Sequence, residues 1–415
     1  MDLAADETAM LQGAEGEAAR RALAYQVEVG RFFGARRMVP ITNAHMMGDI
    51  EVLGDAGLAF LQEMQRLGAR ARIPITTNAR CIDFAWAERL GQDPGECAKE
   101  RQVIATLQAM GIMTTDTCIN YQTLYQPHLG ERVAWGDTGT CIYANSVFGA
   151  RTNFESGPAA LAAAVTGRVP EYGFQLDRYR RGGFLVDISG AGLEDLADWG
   201  ALGRIVGEHR QSYFAVPVFV GQRRAPLADE LKHLGCALAS YGSMGMFHMV
   251  GVTPEAPSVE AAFAGAPPPG PPLVVDDAAI EAVYRSYAPP DSAVRLVVFS
   301  GPQLSLFEIR RLAALFEGRR IAPGTSVFVT SSNGVLSAAR KLGYLAPLEA
   351  AGVAVLEGVC FYILQNLSLM RERNGWSTMV SNSAKIVNII GAHRFHTVLR
   401  RTEECVEAAC SGRLA

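Results

Sequence analysis

Apolar and polar residues follow one another along this chain in blocks that predict helices and strands in turn. From Leu53 to Arg70 the apolar positions recur every three or four residues, which predicts an amphipathic helix. The stretch RIPITTNA (72–79) is short and rich in Ile and Thr, so it predicts a strand. A second helix is predicted from Cys97 to Gly111, and IMTTDTC (112–118) predicts a strand that leads into a loop.

The C-terminal third of the chain shows the same alternation with stronger signals. Residues RLVVFS (295–300) combine β-branched and aromatic side chains, as buried strands do. Ser305 and Glu308 have the spacing of a capping box, which predicts the start of a helix. SVFVTSS (326–332) predicts another strand, and SAARKLGYLAPLEAAG (337–352) predicts one helix closed by its final glycine. This alternation predicts an α/β fold in which helices and sheets form layers.

One segment interrupts the alternation. Residues 253–272 read TPEAPSVEAAFAGAPPPGPP and contain few side chains that could form a core. Their Pro and Ala content predicts a linker at 256–272, stiffened by polyproline geometry. The chain would then divide into an N-terminal portion, 1–255, and a C-terminal α/β domain, 273–415. A Pro-rich loop inside one domain is the alternative.

Composition narrows the class of protein. A chain of 415 residues, 49% of them hydrophobic, can bury a large core and form two or three domains. Its net charge of −4 is well mixed, so neither nucleic acid nor a membrane surface is an expected partner. The acidic N-terminus lacks the order of a signal peptide, and no apolar run has the length of a membrane span. Eight cysteines in so long a chain do not form a secreted disulfide framework, so we expect a cytoplasmic enzyme.

The densest group of hydrogen-bond donors lies in the block YANSVFGARTN (143–153). Its small residues allow close approach of the backbone, and an Arg guanidinium can bind a carboxylate or phosphate with two parallel hydrogen bonds. The block therefore predicts a loop that binds a small anion, although Gly and Asn also occur in ordinary turns. The candidate contacts are Asn145, Ser146, Arg151, Thr152 and Asn153.

Further blocks give the chain a resemblance to a known family. Together with 143–153, these blocks follow the family's order: ITNAHMMGD, PITTNARCIDF, TTDTCINY, TGRVPEYG, VTSS and VSNSAK. On these residues the chain resembles aconitase X, a family of hydro-lyases in the aconitase superfamily. Characterised members dehydrate cis-3-hydroxy-L-proline or, in archaea, mevalonate 5-phosphate. The resemblance implies an aconitase-like multidomain α/β arrangement and the dehydration of a small anionic hydroxy acid or hydroxy amino acid.

The resemblance also implies roles for individual residues. His45, Ser146 and Lys385 are the expected catalytic residues. An iron centre would act as the Lewis acid for the leaving hydroxyl, held as an iron–sulfur cluster by thiolates that include Cys118 and Cys360. The expected substrate-binding residues are Asn78, Asn145, Arg151, Thr152, Asn153, Ser331, Ser332 and Ser383.

One turn departs from the family pattern where a third metal ligand is expected. The family's GCPH-type turn reads Ser-Gly-Pro-Gln here, so Gly301 replaces the expected cysteine and Gln303 the expected histidine. Two thiolates cannot hold a cubane cluster in the usual three-cysteine way. Cys141 or Cys81 could supply the missing thiolate. An iron–sulfur cluster, a single iron ion and no metal at all therefore remain open.

These departures leave three functions in view. The first is a hydro-lyase with an iron centre. The second is a divergent, cluster-free homologue that catalyses isomerisation, elimination or ring closure in a specialised pathway, and the third is a non-catalytic ligand-binding subunit. Asp116 and Asp137 are further acid–base candidates. No part of the chain resembles the family's small swivel domain, so the resemblance implies a separate small subunit as partner, or a chain that works without one.

Overall fold

The computed structural model describes residues 1–414, and its strands form four sheets in three successive α/β regions. The first region contains β1 (Met38–Pro40), β2 (Asn43–Met46), β3 (Ile75–Thr77), β4 (Val133–Trp135) and β5 (Arg168–Pro170). Its helices are α1 (Ala5–Leu11), α2 (Glu17–Phe32), α3 (Ile50–Arg66), α4 (Ala87–Leu90), α5 (Pro94–Ala109), α6 (Asn120–Thr123), α7 (Thr138–Tyr143) and α8 (Pro158–Thr166). β3, β2 and β4 form a parallel sheet in that order, while β1 and β5 pair antiparallel.

Local sequence signals explain where the helices of this region begin. Asp49 accepts a hydrogen bond from the backbone of Val52 and caps α3, and Asp93 caps α5 in the same way with Pro94 next to it. The two predicted helices in this part of the chain are thus confirmed. α5 starts three residues earlier than expected, whereas α3 is interrupted at Gly54, which has a φ of +62°, so its longer part lies within the predicted range. After α7 the chain continues into a π-helical turn, Ala144–Phe148.

The second region is built on four parallel strands in the order β8-β7-β6-β9. They are β6 (Phe184–Asp187), β7 (Pro217–Val220), β8 (His248–Met249) and β9 (Leu273–Val274), with helices α9 (Leu196–His209), α10 (Ala228–Gly242), α11 (Val259–Ala262) and α12 (Asp277–Arg285). Helices α9 and α10 approach closely because α9 carries glycines on the facing side. A Cβ added to Gly203 would lie 2.6 Å from Ala237, and one added to Gly207 would lie 2.9 Å from the backbone of Gly242.

The third region is a five-stranded parallel sheet in the order β12-β11-β10-β13-β14. Its strands are β10 (Leu296–Phe299), β11 (Ser326–Ser331), β12 (Ala354–Glu357), β13 (Thr378–Ser381) and β14 (His396–Leu399). Its helices are α13 (Leu306–Phe316), α14 (Asn333–Lys341), α15 (Leu345–Ala351), α16 (Leu367–Arg373), α17 (Ala384–Ile389) and α18 (Thr402–Ser411). The capping box is confirmed, since the Ser305 hydroxyl accepts from the Glu308 amide and the Glu308 carboxylate accepts from the Ser305 amide.

Two local predictions were wrong, each for an identifiable reason. Residues 112–118 form no strand beyond a single bridge between Met113 and Thr76. The hydroxyl of Thr77 accepts the amides of Thr115 and Asp116, which therefore cannot join a ladder. The single helix predicted at 337–352 is two helices, α14 and α15, because the intervening Gly343 has a φ of +79°.

The segment predicted to link two domains contains α11 and three buried side chains. Ala256, Ala262 and Phe263 pack together with Val218 of β7. Directly after the segment, β9 pairs with β6, so one sheet takes strands from both sides of it. The division into 1–255 and 273–415 stays a prediction, and this sheet runs across it. No helix within residues 1–414 is both long and apolar enough to cross a membrane.

Candidate active site

The candidate site lies where the carboxyl ends of two parallel sheets meet. In such sheets the side chains that follow the strands converge at one edge, which is where ligands usually bind. Two hydrogen bonds from backbone amides join the carboxyl end of the β3-β2-β4 sheet to that of the five-stranded sheet. The Arg80 amide donates to the Gly358 carbonyl at 2.9 Å, and the Glu357 amide donates to the Asp83 carboxylate at 2.8 Å. Residues far apart in the sequence are thereby brought together.

His45 and Asn78 contribute polar atoms from neighbouring strands of the first sheet. His45 lies on β2, fully buried, with Nδ1 2.8 Å from the Thr76 hydroxyl. Its Nε2 and the Oδ1 of Asn78, directly after β3, make no hydrogen bond of normal geometry within residues 1–414, although Asn78 lies near enough to the imidazole to favour its charged form. Burial lowers the pKa of His45 to about 4, despite the nearby carboxylate of Asp137, so the imidazole is neutral near pH 7.

Lys385 and Asp137 form a buried pair between the two sheets. Asp137 follows β4 and caps α7, while Lys385 is the second residue of α17 and follows β13. Lys385 Nζ lies 3.5 Å from Asp137 Oδ1, and both side chains are largely buried. Burial disfavours the ammonium, but the Asp137 carboxylate, together with the ionised forms of nearby thiols, outweighs it and raises the pKa of Lys385. These thiols belong to Cys236, Cys118 and Cys360.

Cys118 and Cys360, the predicted metal ligands, lie close together at this junction. Both are buried, and burial, followed by the neighbouring Cys360, raises the pKa of Cys118 well above its ordinary value. Cys236 on α10 is a third nearby thiol that the sequence did not indicate. A Cβ added to Gly139 would lie 2.8 Å from Cys236 Sγ and 3.9 Å from Lys385 Nζ, so this thiol adjoins the charged pair.

Two further side chains at the junction were missed, although the block TTDTCINY contains them. The hydroxyl of Tyr121 and both side-chain amide atoms of Asn120 are buried without a hydrogen-bond partner in residues 1–414. Tyr121 stacks on Tyr143 with 4.2 Å between ring centroids. Burial, and then the neighbouring Cys236 and Cys118, raise the pKa of Tyr121 well above its usual value.

Many polar side chains of the block at 143–153 form hydrogen bonds within the protein. Asn145 donates to the carbonyls of Thr152 and Gly245, both at 2.9 Å, and accepts from the Thr152 amide and from Arg180. The Thr152 hydroxyl donates to the Asn153 carbonyl and accepts from the backbone of Trp135. These contacts hold the block as a buried framework, and direct contact with substrate stays a prediction for these residues.

Three other predicted residues of this block are also engaged. Ser146 Oγ accepts from the Phe247 amide at 2.9 Å. Asn153 donates to the Tyr172 carbonyl and accepts from the Phe174 amide. Arg151 pairs with Asp177 at 2.5 Å and donates to the Gln175 carbonyl. The structure does not bring these three side chains into contact with the Lys385–Asp137 pair.

The three predicted serines lie at strand ends on the same edge as Lys385. Ser331 donates to the Leu304 carbonyl at 2.6 Å, and Ser332 caps α14. Ser383 caps α17 and donates to the Gly301 carbonyl at 2.5 Å. Ser383 therefore orients both the helix that carries Lys385 and the turn at residues 300–303.

The donor set does not fit the three-cysteine cluster that the family resemblance implies. Within residues 1–414, no three His, Cys, Asp or Glu side chains converge in a way that could hold a metal ion. Neither Cys141 nor Cys81 supplies the missing thiolate. Cys141 contacts Asn145 and the Thr152 carbonyl, while Cys81 points at Glu100 in the core of the first region.

Comparison with known proteins identifies the family. Models of the aconitase X first, second and third domains match residues 1–178, 182–285 and 294–411. The chain belongs to the aconitase X family. The resemblance inferred from the sequence blocks is thus confirmed.

Named relatives of this aconitase X are dehydratases. The phosphomevalonate dehydratase large subunit of Methanothermobacter thermautotrophicus is 34% identical over 389 residues, which are 92% of either chain. The cis-3-hydroxy-L-proline dehydratase of Pseudomonas aeruginosa is 34% identical over 421 residues, 99% of this chain and 70% of that one. The predicted class, an aconitase X-like hydro-lyase, is therefore confirmed.

A solved structure shares the fold. The crystal structure of Thermococcus kodakaraensis aconitase X in its holo form superposes with a TM-score of 0.87 at 29% identity, covering 99% of this chain and 100% of that one. The predicted aconitase-like α/β architecture is confirmed by this match.

Proposed function

We propose that this aconitase X eliminates water from a small hydroxy amino acid or hydroxy acid at the junction of the two sheets. The observation that carries the proposal is a buried cation and carboxylate, Lys385 and Asp137, 3.5 Å apart beside polar atoms that have no protein partner. Buried polar groups are nearly always hydrogen-bonded. The Nε2 of His45 and the Oδ1 of Asn78 lie near each other without a hydrogen bond of normal geometry, so both are suited to bind one ligand.

The charges of the cluster favour an amino acid substrate. A zwitterion can place its carboxylate on Lys385 and its ammonium on Asp137, which satisfies both members of the pair. Other cations nearby are engaged, since Arg80 pairs with Asp116 at 2.7 Å and Arg151 with Asp177. A single cation suits a carboxylate better than a phosphate of nearly double charge. We therefore favour a substrate of the cis-3-hydroxy-L-proline kind over a phosphorylated acid.

Different side chains of this protein are suited to different steps of the elimination. Removal of the proton beside the carboxylate needs a base, and His45 presents a neutral imidazole with a free Nε2. The Lys385 ammonium stabilises the carboxylate as it takes up negative charge, in a site from which water is largely excluded. Asn78 accepts a hydrogen bond from the substrate and fixes its orientation. The electron pair of the broken C–H bond forms the double bond, and the hydroxyl leaves as water by taking a proton from Tyr121. The buried hydroxyl of Tyr121 has no partner in residues 1–414, and burial raises its pKa well above its ordinary value.

A cavity that reaches Thr138 is the entrance that we propose for the substrate. It has a volume of about 230 Å³ and lies against Thr138, the residue after Asp137. Tyr213, Phe154 and Met244 form part of its wall. We propose that substrate enters here and that the cavity is closed by a partner.

The partner that we propose is a separate small subunit. The relative from Methanothermobacter thermautotrophicus is named a large subunit, and the match covers 92% of it. The relative from Pseudomonas aeruginosa is longer, and this chain spans only 70% of it. Co-purification of the tagged chain with the product of a neighbouring gene tests this part of the proposal.

The reaction is tested by incubating the chain, alone and with its small subunit, with cis-3-hydroxy-L-proline or with mevalonate 5-phosphate. Mass spectrometry measures the loss of one water. We expect turnover of the hydroxyproline, reduced about a hundredfold in kcat/KM by Asn78→Ala and unchanged by the control Asn388→Ala, whose side chain is exposed. Turnover of the phosphorylated acid alone contradicts the substrate class, and no loss of water from either contradicts the reaction.

A further inference from the structure

The Gln303 side chain joins the two loops that carry Cys118 and Cys360. It is fully buried, and its Oε1 accepts from the Cys118 amide at 3.2 Å. Its Nε2 donates to the Asp116 carbonyl at 3.1 Å and to the Val359 carbonyl at 3.2 Å. One side chain thus holds the backbone on both sides of the cysteine pair.

The rest of the turn at residues 300–303 strengthens this connection. The Gln303 amide donates to Cys118 Sγ at 3.2 Å, so the thiol already serves as a hydrogen-bond acceptor. The Ser300 hydroxyl accepts from the Phe361 amide at 3.2 Å, directly after Cys360. The turn therefore bonds to both cysteine loops.

The position of the expected third cysteine is unsuited to a side chain. Gly301 has a φ of +62°, a conformation that residues with a Cβ rarely adopt. A Cβ at this position would lie 3.0 Å from the Cβ of Ile386. Backbone conformation and crowding therefore both oppose a third thiolate here.

We propose that this chain assembles no iron–sulfur cluster, and that Gln303 joins the two cysteine loops in its place. Where metal–thiolate bonds link loops, they contribute directly to folding. Here that link consists of the hydrogen bonds of one turn. The inference rests on the proposed function only for the location of the site. It makes this aconitase X a hydro-lyase that works with protein side chains alone.

The first test is the iron and acid-labile sulfide content of the complex, purified without oxygen from cells supplied with iron and sulfide. We expect far less than one iron per chain and no visible absorption band. Several irons with matching sulfide would overturn the proposal. One iron without sulfide, lost in the Cys360→Ser variant, would overturn it equally. Neither result depends on substrate, so this failure is distinguishable from failure of the proposed reaction.

The second test separates a hydrogen-bonded link from a metal link. Gln303→Leu should lower the Tm by about 5 °C, because three hydrogen bonds between the loops are lost. Gln175→Leu removes an equally buried amide, bonded at Nε2 to the Arg151 carbonyl alone, and should lower it less. An iron chelator should leave the wild-type Tm unchanged. A fall in Tm on chelation, or a Tm for Gln303→Leu equal to that of the wild type, contradicts the proposal.

Discussion

Two buried groups of charged residues adjoin the turn at 300–303, and they differ in how completely their polar atoms are bonded. One, the paired cluster, consists of Asp229, Lys232, His233 and Glu308 between α10 and α13. The other, the site cluster, consists of His45, Asn78, Asp137 and Lys385 between the two sheet edges. Both contain a buried lysine and a carboxylate, so the contrast between them lies in the remaining contacts.

In the paired cluster, the polar atoms of the lysine and its carboxylate are satisfied by the protein. Lys232 bonds to Glu308, to Asp229 at 3.2 Å and to the Gln303 carbonyl at 3.3 Å. Glu308 also bonds to His233 at 2.8 Å and accepts from the amide that it caps at 2.7 Å. A buried ion pair is tolerated when its other hydrogen-bonding capacity is met in this way. The paired cluster is thus part of the packing between two helices.

In the site cluster, some polar atoms have no hydrogen-bond partner within residues 1–414. Lys385 has one carboxylate at 3.5 Å, longer than a strong hydrogen bond, and two neighbouring side chains have atoms with no partner in residues 1–414. Leaving buried polar atoms unbonded costs stability. Such a cost is expected where a protein is arranged to bind something else, so incomplete bonding distinguishes the site from the structural ion pair.

The largest expected effect is that of Lys385→Met on catalysis. Loss of the ammonium removes the charge that stabilises the reacting carboxylate, so kcat/KM should fall about a thousandfold, or about 4 kcal/mol. Steady-state kinetics of the complex measures this, with the surface variant Lys341→Met as the control. If activity falls only in proportion to the unfolded fraction, Lys385 stabilises the fold and does not act in catalysis.

Glu308→Gln should instead act on stability. The change leaves the Lys232 ammonium buried with one remaining carboxylate, so the free energy of unfolding should fall by about 3 kcal/mol. Denaturant unfolding measures this, and Glu349→Gln on the surface is the matched control. The kcat/KM of the folded fraction should stay unchanged, and a selective loss of activity would put the paired cluster in the site.

Asn145→Ala tests whether the block at 143–153 belongs to the framework or to the substrate contacts. Its amide bonds to two carbonyls, one backbone amide and one guanidinium, so the free energy of unfolding should fall by about 2 kcal/mol. Asn388→Ala loses two hydrogen bonds to Ser240 at the surface and should lower the free energy of unfolding less. Unchanged stability together with weakened substrate binding would make Asn145 a ligand residue, as the sequence predicted.

Acid should lower the stability of the wild type more than that of the Glu308→Gln variant, because only the wild type has the Glu308 carboxylate to protonate. Burial would raise the pKa of Glu308, but Lys232 and His233 outweigh it and lower the pKa to about 2, against an ordinary value of 4.5. A carboxylate with a lowered pKa stabilises the fold fully above its ordinary value, and this contribution is lost as the pH falls through 4.5 towards 2. Unfolding curves across that range should show a smaller loss in the variant. Equal losses would refute the assignment.

Local sequence patterns correctly predict the features that depend on only a few neighbouring residues. The apolar runs of β10 and β11 and the Ser305–Glu308 capping box are encoded within a few residues, and the structure confirms them. The family blocks also led to His45, Asn78, Cys118, Cys360 and Lys385, which the fold brings to one junction.

What the sequence did not reveal depends on contacts between distant segments. The strand predicted at 112–118 does not form because the Thr77 hydroxyl accepts two of its amides. The hydrogen bonds of Asn145 to Gly245 and Arg180 depend on the fold, which brings these distant residues together. Cys236 carried no signal because its position beside Lys385 comes from the packing of α10. For Gln303, the departure from the family turn was a signal, but its bonds to both cysteine loops required the fold.

If the site cluster and not the paired cluster binds the substrate, only changes in the site cluster should abolish binding. Calorimetric titration of the complex with the hydroxy amino acid that it turns over measures this, using wild type, Lys385→Met and Glu308→Gln at a temperature where all three are folded. We expect Lys385→Met to lose measurable binding and Glu308→Gln to keep the wild-type Kd. An unchanged Kd for Lys385→Met would show that the substrate binds elsewhere.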